Sequence, residues 1–196
     1  MTPTHHFPIA IALISAAAVA GPDTAHADEG AGTIGKRADS GLAWDIEVDP
    51  IAYALEGYSF HVAIGWDRVR LDLGAFGLAI PEAFHSNEGV DGSFRGFGAK
   101  LDLFPWARQR GAFIGVQTGI STLTAREKAS GVSADGTAVE VSVRVGYRFE
   151  LAGGFFVSPW IGIGYARGDD ITVGESTWET NPLIVFPTVH IGYRGR

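Results

Sequence analysis

Residues 137–150, TAVEVSVRVGYRFE, alternate without a break. Val139, Val141, Val143, Val145, Tyr147 and Phe149 share one parity; Glu140, Ser142, Arg144, Gly146, Arg148 and Glu150 share the other. Successive side chains of a strand leave opposite faces, so this stretch has one apolar and one charged face. If water meets the charged face, the chain is a soluble sandwich or a ligand-binding barrel. If the charged face is enclosed, the apolar face needs lipid. The alternation itself is symmetric between the two.

Seven further stretches read as strands, at about 43–55, 58–66, 68–80, 94–104, 111–124, 154–166 and 182–194. A tilted strand crosses a bilayer in about 9–11 residues, which each of them supplies. No segment after Leu42 carries a helical period. The connectors are Glu56-Gly57, Asp67, 81–93, 105–110, 125–136, 151–154 and 167–181. Past the first hairpin they alternate short and long. Outer-membrane barrels show this asymmetry, with short periplasmic turns and longer outer loops.

The two faces break the symmetry further. Phe60, Val62, Ile64, Trp66, Val69, Leu71, Leu73, Phe97, Leu101 and Leu103 form an apolar face without a charge. The other parity mixes Arg70, Asp72, Lys100 and Asp102 with Gly74, Gly96, Gly98 and Gly119. Glycine packs nothing on an exposed strand, but inside a narrow barrel it makes room for long side chains opposite. The charged, glycine-rich face therefore reads as a lumen. The expected fold is all-β, an eight-stranded antiparallel up-and-down transmembrane β-barrel over 42–196. Trp44, Tyr58, Trp66, Phe104, Trp106, Tyr147, Phe149, Phe155, Tyr165 and Tyr193 fall near strand ends, where interfacial girdles sit.

The segment IAIALISAAAVA (9–20), followed by Ala25-His26-Ala27, reads as a secretory signal over 1–27. Polar, glycine-rich residues 28–41 read as a flexible periplasmic lead-in. The chain has no cysteine, which excludes a disulfide framework and a cysteine metal site. A net charge of −7 argues against a nucleic-acid partner.

With this signal segment, strand count, alternation and loop parity, residues 42–196 resemble the small eight-stranded outer-membrane barrels of Gram-negative bacteria, the OmpA/OmpX-like class. The ending HIGYRGR departs from it. Such barrels usually finish on an aromatic residue that the assembly machinery reads, whereas here Arg194, Gly195 and Arg196 follow Tyr193. The resemblance implies a monomer in the outer membrane without a cofactor. Its partners would be outer-membrane lipid, lipopolysaccharide and the outer-membrane assembly machinery. Members include adhesins, tethers and lipid-modifying enzymes, so the fold leaves function open. The reading adopted is a structural or surface-interaction role with a charge-plugged lumen and no catalysis. The alternatives are a lipid-modifying barrel enzyme, like a lipid A deacylase or an acyltransferase, and a soluble periplasmic ligand-binding β-barrel.

Three sets of residues follow as candidates. His85, Ser86 and Glu88 lie in FHSNEG (84–89), and lipid A deacylases use a Ser-His-Glu set near a His-x-Ser-Asn pattern. Here His85 and Ser86 are adjacent, so on a strand they would face opposite ways. The second set is a lumen charge cluster: Asp45, Glu47, Arg70, Asp72, Lys100, Asp102, Glu140, Arg144, Arg148, Glu150, His190 and Arg194. All but Glu140 are placed towards the periplasmic end, and opposite charges there should pair. The third is Pro50, Pro159 and Pro187, expected inside strands. A closed barrel has no edges, so each should mark a missing hydrogen bond or a bulge; the reading adopted is a local bulge with no further role, and the alternative is a weak closing seam that gives lateral lipid access. No metal site is expected. His61 and His190 both face inward by parity, but at ~3.3 Å per residue they should lie at opposite ends of their strands. Asp169, Asp170 and Glu175 lack the spacing of a calcium loop.

Overall fold

A computed structural model describes residues 42–195 other than Ser86. The expected signal (1–27) and lead-in (28–41) lie outside the described residues. In chain order the elements are β1 (Ala43–Val48), α1 (Pro50–Ala54), β2 (Tyr58–Trp66), β3 (Val69–Ile80), β4 (Val90–Leu103) and β5 (Gly111–Glu127). They continue with β6 (Ser133–Glu150), β7 (Phe155–Gly168), β8 (Ile171–Val173), β9 (Ser176–Trp178) and β10 (Leu183–Gly195). Eight strands close a ring in the order β1-β10-β7-β6-β5-β4-β3-β2, while β8 and β9 form a separate hairpin. Every neighbouring pair is antiparallel, and the last strand closes on the first through Trp44↔Gly195 to Val48↔Ile191. The end carrying Ala43 and Gly195 is called the terminal end below, and the end carrying α1 the far end.

Burial is inverted relative to a soluble protein. Ile64, Leu73 and Val141 point outward and are 54%, 54% and 58% exposed, whereas Arg70, Asp72 and Arg144 are 2%, 0% and 2% exposed. The opening stretch resolves the same way: Val139, Val143, Tyr147 and Phe149 are exposed, and Arg144 and Arg148 are buried. A soluble ligand-binding barrel would need its apolar face inside, so this arrangement does not favour that alternative.

Several boundaries differ from expectation. The stretch 43–55 is not one strand, because β1 ends at Val48 and α1 follows. Asp49 caps α1 by accepting from the Ile51 N–H at 2.8 Å. Pro50 occupies the first helical turn, where its missing N–H has no helical partner to lose. Pro50 therefore belongs to a helix and not to a strand. The expected loops 81–93 and 125–136 are partly strand, since β4 begins at Val90, β5 runs to Glu127 and β6 begins at Ser133. The wall is consequently uneven, with 6 residues in β1 and 18 in β6.

Pro159 interrupts the β6–β7 ladder, which stops at Gly146↔Trp160 and resumes at Phe149↔Val157 in unchanged register. That is a break without a bulge. Phe104, expected in a girdle, is 1% exposed and packs with Phe113 and Trp160. It carries the lumen parity of Lys100 and Asp102. At the far end, Ile171, Val173 and Trp178 of the β8–β9 hairpin bury themselves against Val90, Leu123 and Ala125. The last connector is thus a folded cap over the tops of β4 and β5.

Candidate functional site in the barrel lumen

Alternate residues of six strands converge on the terminal half of the lumen. Arg70, from β3, is the hub. Its Nε lies 2.8 Å from Asp45 Oδ2, its Nη2 2.9 Å from Glu47 Oε2 and 3.1 Å from Asp72 Oδ2, and its Nη1 3.3 Å from Asp102 Oδ2. Arg144 Nε reaches Asp102 Oδ1 at 3.1 Å, and Arg148 Nη1 reaches Asp45 Oδ2 at 2.9 Å. Arg194 links this layer to the mouth, with Nε 3.0 Å from Asp45 Oδ1 and Nη1 3.2 Å from Glu150 Oε1. Its Nη2 also donates to the side chain of Gln109 at 3.0 Å.

The buried acids Asp45, Glu47, Asp72 and Asp102 are matched by the buried bases Arg70, Lys100, Arg144 and Arg148. With neutral imidazoles the layer carries no net charge. Buried ions are tolerated when paired and bonded in this way. Among the described residues, Arg144 Nη1 and Arg148 Nε and Nη2 are buried without a hydrogen-bond partner, and aromatic faces stand beside both guanidinium groups. The Arg148 guanidinium stands 3.5 Å from the Phe156 ring centre, and that of Arg144 4.3 Å from Trp160.

Two members of the predicted cluster stand apart. Glu140 is half-buried and accepts from Gln117 Nε2 at 2.8 Å. Glu150 is exposed at the terminal rim. The histidines require a correction, since the His61 and His190 rings are 4.9 Å apart. β2 has only nine residues, so His61 lies five residues above its terminal end, as His190 does in β10. They are level, not at opposite ends. His190 Nδ1 is 2.7 Å from Glu47 Oε1, and His61 Nδ1 is 2.9 Å from Asp72 Oδ1.

This brings Glu47, His61 and Asp72 donor atoms within 4.8 Å of one another, a grouping the sequence did not reveal. The place of a cation there is taken by Lys100. Its Nζ lies 3.1 Å from His61 Nδ1, 3.3 Å from Asp72 Oδ1 and 3.7 Å from Glu47 Oε1. His61 Nδ1 donates to Asp72 in one tautomer and accepts from Lys100 in the other.

Above the charged layer the lumen changes character. Inward-facing Gly74, Phe76, Gln117, Gly119, Ser121, Ser142, Gly164, Ile184 and Phe186 are half-buried, where the layer below is buried. Glycine is required here by close approach: a Cβ on Gly74 would fall 1.9 Å from His61 Nδ1. The result is a vestibule with a charged floor and a wall that mixes small residues with Phe76, Gln117, Ile184 and Phe186.

At the far rim Glu127 holds the β8–β9 cap. Its carboxylate accepts from the Glu175 N–H at 3.0 Å, from Ser176 Oγ at 3.1 Å and from Ser130 Oγ. These bonds, that of Ser130 foremost, hold its carboxyl below the usual glutamate range. The His85 ring lies 4.7 Å from that of Trp178, tilted by 46°, and partial burial lowers its pKa. Its Nδ1 accepts from the Asn87 N–H at 3.2 Å. Glu88 is exposed and, among the described residues, makes no hydrogen bond to His85; Ser86 lies outside them. His85 and Glu88 are therefore not brought together as a catalytic pair. Parity placed His61 inward and would have been enough to find Phe113 and Trp160, which the sequence reading missed. Glu127 and Trp178 carry no such signal, because their contacts come from a hairpin folded over the rim.

No protein-family model matches the chain, and no curated protein does. Solved structures similar to it in fold include the following three. Neisserial surface protein A (NspA) is 11% identical over 78% of this chain and 94% of that one, with a TM-score of 0.44. The N-terminal β-barrel domain of Pseudomonas aeruginosa OprF is 13% identical over 79% and 96%, with a TM-score of 0.42. A major outer membrane protein from Thermus thermophilus is 10% identical over 79% and 100%, with a TM-score of 0.45.

Proposed function

We propose that this chain is an outer-membrane β-barrel with a structural or surface-interaction role, a lumen closed by its own charges, and no catalysis. The inversion of burial carries the reading. A belt of Ile, Leu, Val and Phe covers the outside, while paired ions fill the inside. Water would oppose both halves of that arrangement, and hydrocarbon favours the first. A closed ring is also one of two ways to satisfy backbone groups inside a bilayer. The terminal end then faces the periplasm, and α1 and the β8–β9 cap face outward. The Arg70 layer supports a lumen without a continuous water path, because each of its arginines reaches an acid on another strand.

Membrane fractionation and heat-modifiable migration on detergent gels test the placement. The mature chain should sediment with outer membranes and migrate faster unheated than boiled. A soluble monomer without detergent would refute the placement. Planar-bilayer recording tests the plug: large, steady single-channel conductance would refute it.

A further inference from the structure

The ring is closed unevenly. β10 pairs with β7 from Leu183 to Tyr193, but with β1 only from Ile191 to Gly195. Leu183–His190 thus has no strand on its second side. Across the seam, Tyr58–Phe60 of β2 lies beyond the last β1 rung, Glu47↔His61. The far half of the seam is a notch between two strand edges. Pro187, which has no N–H to donate, sits on one of them.

α1 stands in this notch, packed against β10, β2 and β3. Asp49 ties it to both edges. Thr188 Oγ1 donates to Asp49 Oδ2 at 2.5 Å, and the Asp49 N–H donates to Ser59 Oγ at 3.1 Å. The Tyr53 hydroxyl donates to the Ser59 carbonyl at 2.9 Å. Among the described residues, no backbone hydrogen bond joins Leu183–His190 to α1 or β2. Elsewhere the wall is zipped by ladders, interrupted at Pro159, whereas side-chain bonds join α1 to β10 and β2 here.

An apolar path crosses the wall here. Outside it are Leu183, Val185, Tyr58 and Phe60, all exposed. Inside it are Ile184, Phe186 and Phe76, half-buried and lining the vestibule. The charged floor lies below. On the placement proposed above, on which this inference rests, the notch faces the outer leaflet. A bare strand edge is costly in hydrocarbon, so α1 shields it at rest and an open state can only be brief.

We propose that the notch between β10 and β2 is a lateral portal that admits an acyl chain of an outer-leaflet lipid into the vestibule, with α1 as its door. The ligand is an acyl chain and not a soluble solute because the notch opens sideways between apolar outer residues and apolar inner ones; the polar groups at its threshold, Asp49, Ser59 and Thr188, are bonded to one another. The chain would stop at the Lys100–Arg144 layer, so the portal does not breach the plug.

The chain has no cysteine, so Asp49→Cys with Thr188→Cys gives a single, reversible staple between α1 and β10. A photoreactive benzoylphenylalanine is placed at Phe186, facing in, or at Val185, facing out. Each variant is irradiated in outer membranes and its adducts are weighed, with heat-modifiable migration confirming a closed barrel. Lipid adducts are expected at both positions. Those at Phe186 should be lost on oxidation of the staple and return on reduction, while those at Val185 persist. Adducts at Val185 with none at Phe186 would overturn the portal and leave the membrane placement standing. Failure at Val185 would overturn the placement itself. Phe186 labelling that ignores the staple, or that captures protein instead of lipid, also overturns the portal. Tyr53→Phe removes one tie without a staple and should raise Phe186 labelling; unchanged labelling would rule out α1 as the door.

Discussion

His61 and His190 stand 4.9 Å apart, ring centre to ring centre, although their strands β2 and β10 do not pair with each other. β1 lies between them and sends Glu47 to His190, while β3 sends Asp72 to His61. Lys100, from β4, completes the group. Five strands therefore meet at one level of the lumen.

Lys100→Met should destabilise the barrel. The substitution leaves Glu47 and Asp72 with Arg70 as their remaining shared base, and breaking one partner of a buried ionic group costs about 3–5 kcal/mol. Urea unfolding of the reconstituted barrel should shift to lower denaturant. A variant as stable as the parent would show that the ammonium is not part of what closes the lumen.

Gly57→Val should lift the door from its frame. A Cβ at Gly57 would lie 1.9 Å from the Gly77 carbonyl oxygen, a backbone atom with little freedom to move. The chain leaving α1 must then rise off β3. The Ala79 N–H, which donates to the Leu55 carbonyl at 3.0 Å, should exchange faster with solvent than in the parent. Unchanged exchange at Ala79 would mean that this contact does not position α1.

Acidification should loosen the β8–β9 cap. Glu127 is bonded as a carboxylate and its native pKa is lowered, so its contribution is complete above the usual glutamate value of ~4.3. That contribution fades as pH falls through the lower native value. His85 acts in the same direction: burial disfavours its charged form, so protonation below its usual value of ~6.5 opposes packing on Trp178. The indole N–H signal of Trp178 should move with falling pH in two stages. In Glu127→Gln the acidic stage should be absent; its persistence would assign the change elsewhere.

The far seam and the middle of the wall should differ in protection. Amides of Leu183–Phe186 belong to a strand paired on one side, and those of Val139–Val145 to a strand paired on both. Amide exchange should be faster in the first group, while equal protection would refute an open far seam.

Much of this barrel was legible in the residues. The parity of Arg70, Asp72, Lys100, Asp102, Arg144 and Arg148 placed all six in the lumen, where they are buried. Strict alternation also placed Val139 to Phe149 outside. Both follow from a local property, because successive side chains on any strand leave opposite faces. The helix at Pro50–Ala54 was also written locally, as a capping Asp49 followed by proline. The apolar alternation on either side concealed it.

Height along the barrel was not legible. Whether His61 meets His190, how far β1 rises beside β10, and whether Trp178 folds back over Val90 depend on registers set between strands. Those registers are decided together by every ladder in a ring that must close with a stagger. The chain by itself determined which way each strand residue faces, because that is set by its own backbone. Only the tertiary structure decided which residues stand level, because one short strand, β1, shifts the levels of both its neighbours and opens the notch that α1 fills.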